Sequence, residues 1–371
     1  MSKIIAVCVD AVVFKDNRIF DERWARKFPG AQTMPILAAM AQKSGFPIVT
    51  GDVALSHVRS GYWDAKDIAV IQDMDCPEGL ELIRLGASAK VLTALESPIF
   101  AYPFYDRLAE LGPKFEHRVL FKGAFNLFSA ASGHNHTAHF PIFHKDRILT
   151  PALWNDRKFM VMVAANKYYK KPARFPLSFN PGRYIKWMQK RRIKKNSSVL
   201  KSAIKNELQT RRLEAIEYFG GLQKLDVFGF GWDKPNKMSA MWRRRLERVF
   251  SDKWPRPCEN KTETISKYKF ALCFENTSYP GYVTEKIIDC LVAGLIPIYL
   301  GAPDISEFVP EEAFIDMRKF NTWQELDNYV ESLTESKGME MISSGQNFLH
   351  TPQGQKHSFE CFAEFLFDLI V

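Results

Sequence analysis

The chain has 371 residues, 46% hydrophobic and 13% aromatic, which is ample for packed cores and argues against disorder. That length exceeds one ordinary core, so two domains are expected. The net charge of +9 is local: residues 183–212 hold eleven Lys or Arg against the single acid Glu207, while the remainder, with 40 basic and 41 acidic groups, is near neutral.

The opening "MSKIIAVCVD" meets Asp10 after a short apolar run, so it does not read as a secretory leader, and no stretch reaches the length a membrane span needs. The six cysteines are scattered without a CxxC pair, which fits a reducing compartment better than a disulfide or metal framework. From there the chain alternates. "KIIAVCVD" (3–10) reads as a buried strand, 34–45 as a helix stopped by Gly45, 68–74 as a strand and 78–87 as a helix. Strand 90–97, a helix over "FYDRLAELG" and strand "HRVLFKG" follow. Val- and Ile-rich strands separated by amphipathic segments predict βαβ units and a parallel sheet. No GxGxxG follows the first strand, so no dinucleotide site is read there.

A polar stretch over 132–156, containing "GHNHTAH", reads as an interdomain loop, with adventitious metal at His134, His136 and His139 as the rival reading. The α/β pattern then restarts with strand 158–167, one long helix over 200–220, and strands 225–231 and 267–276. Val283, Ile287, Ile288, Leu291 and Val292 form a helical stripe ended by Gly294, followed by the strand "IPIYLG". The domains are expected at 1–150 and 151–345, with a helical segment 346–371 packing back on the first, and ligands at the carboxyl ends of the strands.

The mouth of helix 283–293 is unusually polar. Thr284 is the expected N-cap, Pro280-Gly281 lets backbone approach a ligand, and a helix N-terminus suits phosphate. Lys286 adds a full charge and Glu285 can accept sugar hydroxyls; the plainer alternative makes both exposed first-turn residues. The surrounding block "FALCFENTSYPGYVTEKIIDCLVAGLIPIYLGAP" resembles the signature of the α-1,3-fucosyltransferases, glycosyltransferase family 10, over about 50 residues from Tyr268. "LESP" (95–98), "AANK" (164–167), Arg212 before "EAIEYF" and "DVFGFG" resemble further family segments in the same order.

The resemblance implies a GT-B fold, in which two Rossmann-like α/β domains face each other across a cleft, the acceptor side first and the GDP-sugar side second. It implies that Tyr282, Glu285 and Lys286 contact the nucleotide, with Asn276 near them, that Arg212 grips the diphosphate, and that Glu96 is the catalytic base. The activity implied is inverting transfer of fucose from GDP-fucose to an acceptor oligosaccharide or glycolipid, with no metal or other cofactor required. Another GDP-sugar is the alternative, because the segment after ESP reads "FNLFSAASGHNH" and lacks the family's Arg and acidic run. Asp73-x-Asp75 has the look of a metal pair from another glycosyltransferase fold, which the C-terminal block opposes. The basic run 183–195 reads as a solvated excursion or as a peripheral contact with an anionic membrane surface. Polyanion or nucleic-acid binding through 183–212 is the reading from a different class, without a recognition motif to support specific nucleic acid. The favoured setting is a bacterial-type cytoplasmic enzyme of lipopolysaccharide or capsule assembly, at the inner face of the membrane where the basic run makes contact.

Overall fold

The computed structural model describes residues 4–128, 132–166, 195–232, 239–251 and 253–371, so Lys167 and the basic run 183–194 lie outside the described residues. The chain divides into two compact units. The first comprises Met1–Glu96, Phe104–Arg147 and Pro352–Val371; the second comprises Ser97–Pro103 and Ile148–Thr351.

The first unit is built on a six-stranded sheet of order β2-β1-β3-β4-β5-β6. Its strands are β1 (Ile4–Cys8), β2 (Ile48–Thr50), β3 (Ile68–Asp73), β4 (Ser88–Ala94), β5 (His117–Leu120) and β6 (His134–Thr137), all paired in parallel. Every residue of β1 is buried, as its unbroken apolar run requires of a strand covered on both faces. One cover is the helix Thr33–Lys43, against which the C-terminal helix Phe359–Asp368 packs. Phe362, Ala363 and Leu366 of that last helix join Leu37, Val91 and Val119 in one core.

The polar stretch around 134–137 is not a loop. It pairs with β5 in register from His117↔His134 to Leu120↔Thr137, because backbone pairing at a sheet edge tolerates side chains that face solvent on both sides. His117 Nδ1 lies 3.2 Å from His136 Nε2, and among the described residues no group of three His, Cys, Asp or Glu is placed to hold a metal ion.

The second unit carries a five-stranded parallel sheet of order β11-β10-β9-β7-β8. Its members are β7 (Lys158–Val163), β8 (Leu225–Phe228), β9 (Tyr268–Phe274), β10 (Ile296–Leu300) and β11 (Ile315–Asp316). β9 is central, and Phe270, Leu272 and Phe274 pack there with Trp154, Leu213 and Phe219. Buried Arg157 ties the entry to this unit by donating to the carbonyls of Ala152 and Gly294.

The helix expected over 200–220 is two helices, Ser198–Lys205 and Gln209–Gly221. The three residues between them are claimed by a loop far along the chain. Ser278 N–H donates to Asn206 O at 2.8 Å, Leu208 N–H donates to Asn276 O at 3.1 Å, and Glu207 bridges Thr277 in antiparallel sense. Local propensity favours one helix, and long-range hydrogen bonds override it.

The helix Glu285–Ala293 ends at Gly294 as the sequence predicts. Gly294 has φ +70° and closes a Schellman motif, Leu295 N–H to Cys290 O and Gly294 N–H to Leu291 O. A Cβ there would lie 3.0 Å from Pro151 Cγ and 3.1 Å from Gln346 Nε2. Gly294→Ala should therefore cost about 1–2 kcal/mol, read as a lower urea midpoint at unchanged slope.

Candidate active site

The site grows from the end of β9. The strand stops at Phe274, and the next residue, Glu275, keeps sheet pairing through its N–H to Leu300 O at 2.8 Å. Its side chain is wholly buried, so the carboxylate needs donors. It has them: Oε1 accepts from the backbone N–H and the hydroxyl of Thr284, both at 2.9 Å, and Oε2 accepts from the Thr284 hydroxyl at 2.7 Å and from Lys286 Nζ at 3.0 Å. Thr284 occupies the N-cap position, yet its side chain does not cap the helix. The hydroxyl is spent on Glu275 and also accepts from Lys286 Nζ at 2.8 Å.

Lys286 makes a third contact, to Glu285 Oε1 at 3.1 Å. Burial disfavours its charge, but the Glu275 and Glu285 carboxylates outweigh that and lift its pKa above the ordinary lysine value. Burial would likewise push Glu285 up, but the ammonium groups of Lys286 and Lys261 hold it well below the usual carboxylate range. Lys261 is ion-paired with Asp289, one turn along the same helix as Glu285. Glu285 keeps 43% of its side-chain surface and is the solvent-facing member of the group.

The helix Gln209–Gly221 supplies Arg212, which is 6% exposed. Its Nε donates to Phe274 O at 2.9 Å, and its Nη2 donates to the same carbonyl and, at 3.1 Å, to Asn276 Oδ1. Burial lowers its pKa and the fields of Glu275 and Glu285 oppose that, so the guanidinium stays charged. Arg212, Asn276, Tyr282, Glu285 and Lys286, five residues that the sequence pattern singled out, thus converge at the carboxyl end of β9. Tyr282 is buried there, and Arg212 lies in its electrostatic reach.

The loop between β9 and the helix is fastened at several points. Ser278 Oγ donates to Gly301 O at 2.8 Å, and Gly281, at φ +69°, donates its N–H to Asp304 Oδ1 at 2.8 Å. Thr277 is buried with its hydroxyl 3.1 Å from that of Ser97. Tyr279 OH donates to Ser202 Oγ at 3.1 Å, and its ring packs by Ile99, Leu200 and Ala203.

Glu96, the expected base, belongs to the first unit and directly precedes Ser97 in the chain. Its carbonyl accepts from Tyr105 OH at 2.9 Å. Asp73, at the end of β3, is raised to about 7 by burial and by the neighbouring charges of Glu96, Asp10 and Asp75, with a hydrogen bond from Thr93 opposing. Sequence reasoning missed the anchoring part played by Glu275, although its place in "FEN" marked it, and missed the Asn206–Leu208 break altogether.

Residues 192–341 match the model of "Glycosyltransferase family 10 (fucosyltransferase) C-term". The chain is 37% identical over 102 residues to an alpha-(1,3)-fucosyltransferase of Helicobacter pylori, covering 28% of this chain and 21% of that one. It is 48% identical over 69 residues to an alpha-(1,4)-fucosyltransferase of Arabidopsis thaliana, covering 19% and 17%. The matched part thus spans about a fifth of the length of these relatives. Among solved structures, an alpha1,3-fucosyltransferase aligns with 100% of this chain and 90% of its own at TM-score 0.51 and 15% identity. Sucrose-phosphate synthase from Thermosynechococcus elongatus aligns with 85% and 75% at TM-score 0.53 and 11% identity. The fold is GT-B, and the stretch 192–341, which contains the whole Arg212–Lys286 cluster, is a glycosyltransferase family 10 (fucosyltransferase) C-terminal domain.

Proposed function

We propose that the chain is an inverting glycosyltransferase that moves fucose from GDP-fucose to a hydroxyl of an acceptor oligosaccharide or glycolipid. The observation that carries this reading is the convergence of Arg212 and Lys286 on the carboxyl end of β9, inside the stretch that matches the family model. In the reaction the acceptor oxygen forms a bond to the sugar's anomeric carbon while the bond from that carbon to the diphosphate oxygen breaks. Glu96 takes the acceptor proton, and GDP leaves with the electron pair. Attack opposite the leaving group inverts the anomeric centre.

Lys286 remains charged at neutral pH and above, so it is available to the departing diphosphate. Arg212 spends Nε and Nη2 on Phe274 and Asn276, and in this reading its Nη1 donors serve the diphosphate. Asn276, held by Arg212, and Tyr282 line the nucleotide side, and the exposed Glu285 carboxylate accepts hydroxyls of the ribose. The basic run 183–195, of which only Lys195 is described, retains the reading of a contact with an anionic membrane surface at the cytoplasmic face. Among the described residues no helix is long and apolar enough to cross a membrane.

The nucleotide is tested by thermal shift. GDP should stabilise the protein saturably and UDP should not; the opposite pattern overturns the reading. Lys286→Ala should weaken GDP about ten-fold or more, since a charge-assisted contact contributes about 1.5–3 kcal/mol. Arg212→Lys should show a clear defect too, because it keeps the charge and loses the planar fork.

Glu96→Gln should leave GDP-fucose binding nearly intact and lower turnover by about 10²-fold or more. Asp73→Asn separates the neighbouring carboxyl. Because the folded pKa of Asp73, about 7, lies above its ordinary 3.8, its contribution to stability is complete below pH 3.8 and is lost as pH rises through 7. The wild type should therefore lose up to about 4 kcal/mol between pH 4 and 8, and Asp73→Asn should not show that loss. Denaturant midpoints at the two pH values measure this, and retained turnover in Asp73→Asn keeps the base at Glu96.

A further inference from the structure

Gln209 opens the helix that carries Arg212, and its side chain is 6% exposed with no hydrogen-bond partner at either Oε1 or Nε2 among the described residues. A buried carboxamide without partners is costly to keep, since both its donor and its acceptor have given up water. It is not needed to cap the helix: Glu207 does that, accepting from the Thr210 N–H at 3.0 Å and from the Thr210 hydroxyl. Nor does it serve the core, where Leu at the same position would pack without an orphaned polar group.

Its location gives it a purpose. Gln209 and Arg212 are three residues apart and so share one face of the helix. Arg212 meets the last carbonyl of β9 and the Asn276 side chain, and Gln209 stands one residue-triplet nearer the helix N-terminus, about 4.5 Å along the axis. Helices that connect parallel strands run against them, so this direction leads beyond the strand ends, to where ligands of such sheets lie. The adjoining Leu208 N–H is pinned to Asn276 O at 3.1 Å, which fixes the Gln209 backbone beside the loop that holds Asn276 and Thr277.

We infer that Gln209 is a specificity contact of the donor site, pairing with a hydroxyl-bearing edge of the nucleotide sugar. The chemistry of the side chain selects the ligand group. A carboxamide offers one donor side and one acceptor side, and a pair of adjacent sugar hydroxyls can satisfy both. A phosphate has acceptors alone; it would leave Oε1 unpaired and set it against negative oxygen. The group recognised is thus a vicinal diol, of the ribose or of the transferred sugar. This inference rests on the donor-site reading above and adds a residue to it.

The test uses the full chain and two variants, Gln209→Leu and the straighter Gln209→Met, with GDP and GDP-fucose titrated separately. Both unliganded variants should unfold at a higher temperature than wild type, because an unpaired buried polar group has been removed. Both should bind GDP-fucose about ten-fold more weakly. A loss shared by GDP assigns the contact to the ribose, and a loss confined to GDP-fucose assigns it to the transferred sugar. Variants that gain thermal stability and bind both ligands as wild type does would overturn the inference and make Gln209 a packing residue. A wild type that binds neither GDP nor GDP-fucose would instead overturn the donor reading itself, and the inference with it.

Discussion

A carboxylate sealed from solvent must be surrounded by donors or lose its charge, and Glu275 is surrounded. It receives a backbone N–H and a hydroxyl from Thr284 and an ammonium from Lys286. These contacts join the end of β9 to the start of the following helix across the ten-residue connection 275–284, so the strand fixes where that helix begins. The same contacts set the charge state of the site, because Glu275 helps hold Lys286 as an ammonium in a place where burial alone would favour the amine. Breaking such a pair strands a buried charge, typically at about 3–5 kcal/mol. Geometry and electrostatics here have one origin.

Around that anchor the cluster is nearly charge-balanced. Arg212, Lys286 and Lys261 face Glu275, Glu285 and Asp289. The cations are already held in position, Lys286 and Lys261 by carboxylates and Arg212 by the Phe274 carbonyl and the Asn276 side chain, so an anion entering there would need little side-chain ordering. Glu285, the most exposed of the three acids, is the one free to exchange Lys286 for a hydroxyl.

Much of this site was legible in the sequence, and for identifiable reasons. The stripe Val283–Val292, the stop at Gly294 and the polar residues before them are local signals, and the helix appears where they put it. The residues Arg212 to Lys286 were legible through a motif whose side chains converge in space. Thr284 was read correctly as the helix boundary but for the wrong partner, since periodicity does not reveal that a carboxylate nine residues earlier claims its hydroxyl. The strand His134–Thr137 was hidden because its stability comes from backbone pairing with β5 at a sheet edge and not from apolar alternation. Gln209 gave no signal at all; only burial without partners distinguishes it from any other glutamine.

The break at Asn206–Leu208 joins two events that look separate. The residues on either side have helical sequences, and the three between them leave the helix because Asn276 and Ser278 occupy their backbone groups. If the loop lifts, those groups lose their partners, and the cheapest replacement is to propagate helix from Lys205 to Gln209, which needs no new nucleus. Loop opening is thereby coupled to helix growth as two ends of a see-saw. Amide protection at Asn206–Leu208 would therefore report the state of a loop some seventy residues away. The helix on the far side of that pivot carries Arg212, so a change in the loop would be felt at the element that holds this buried guanidinium.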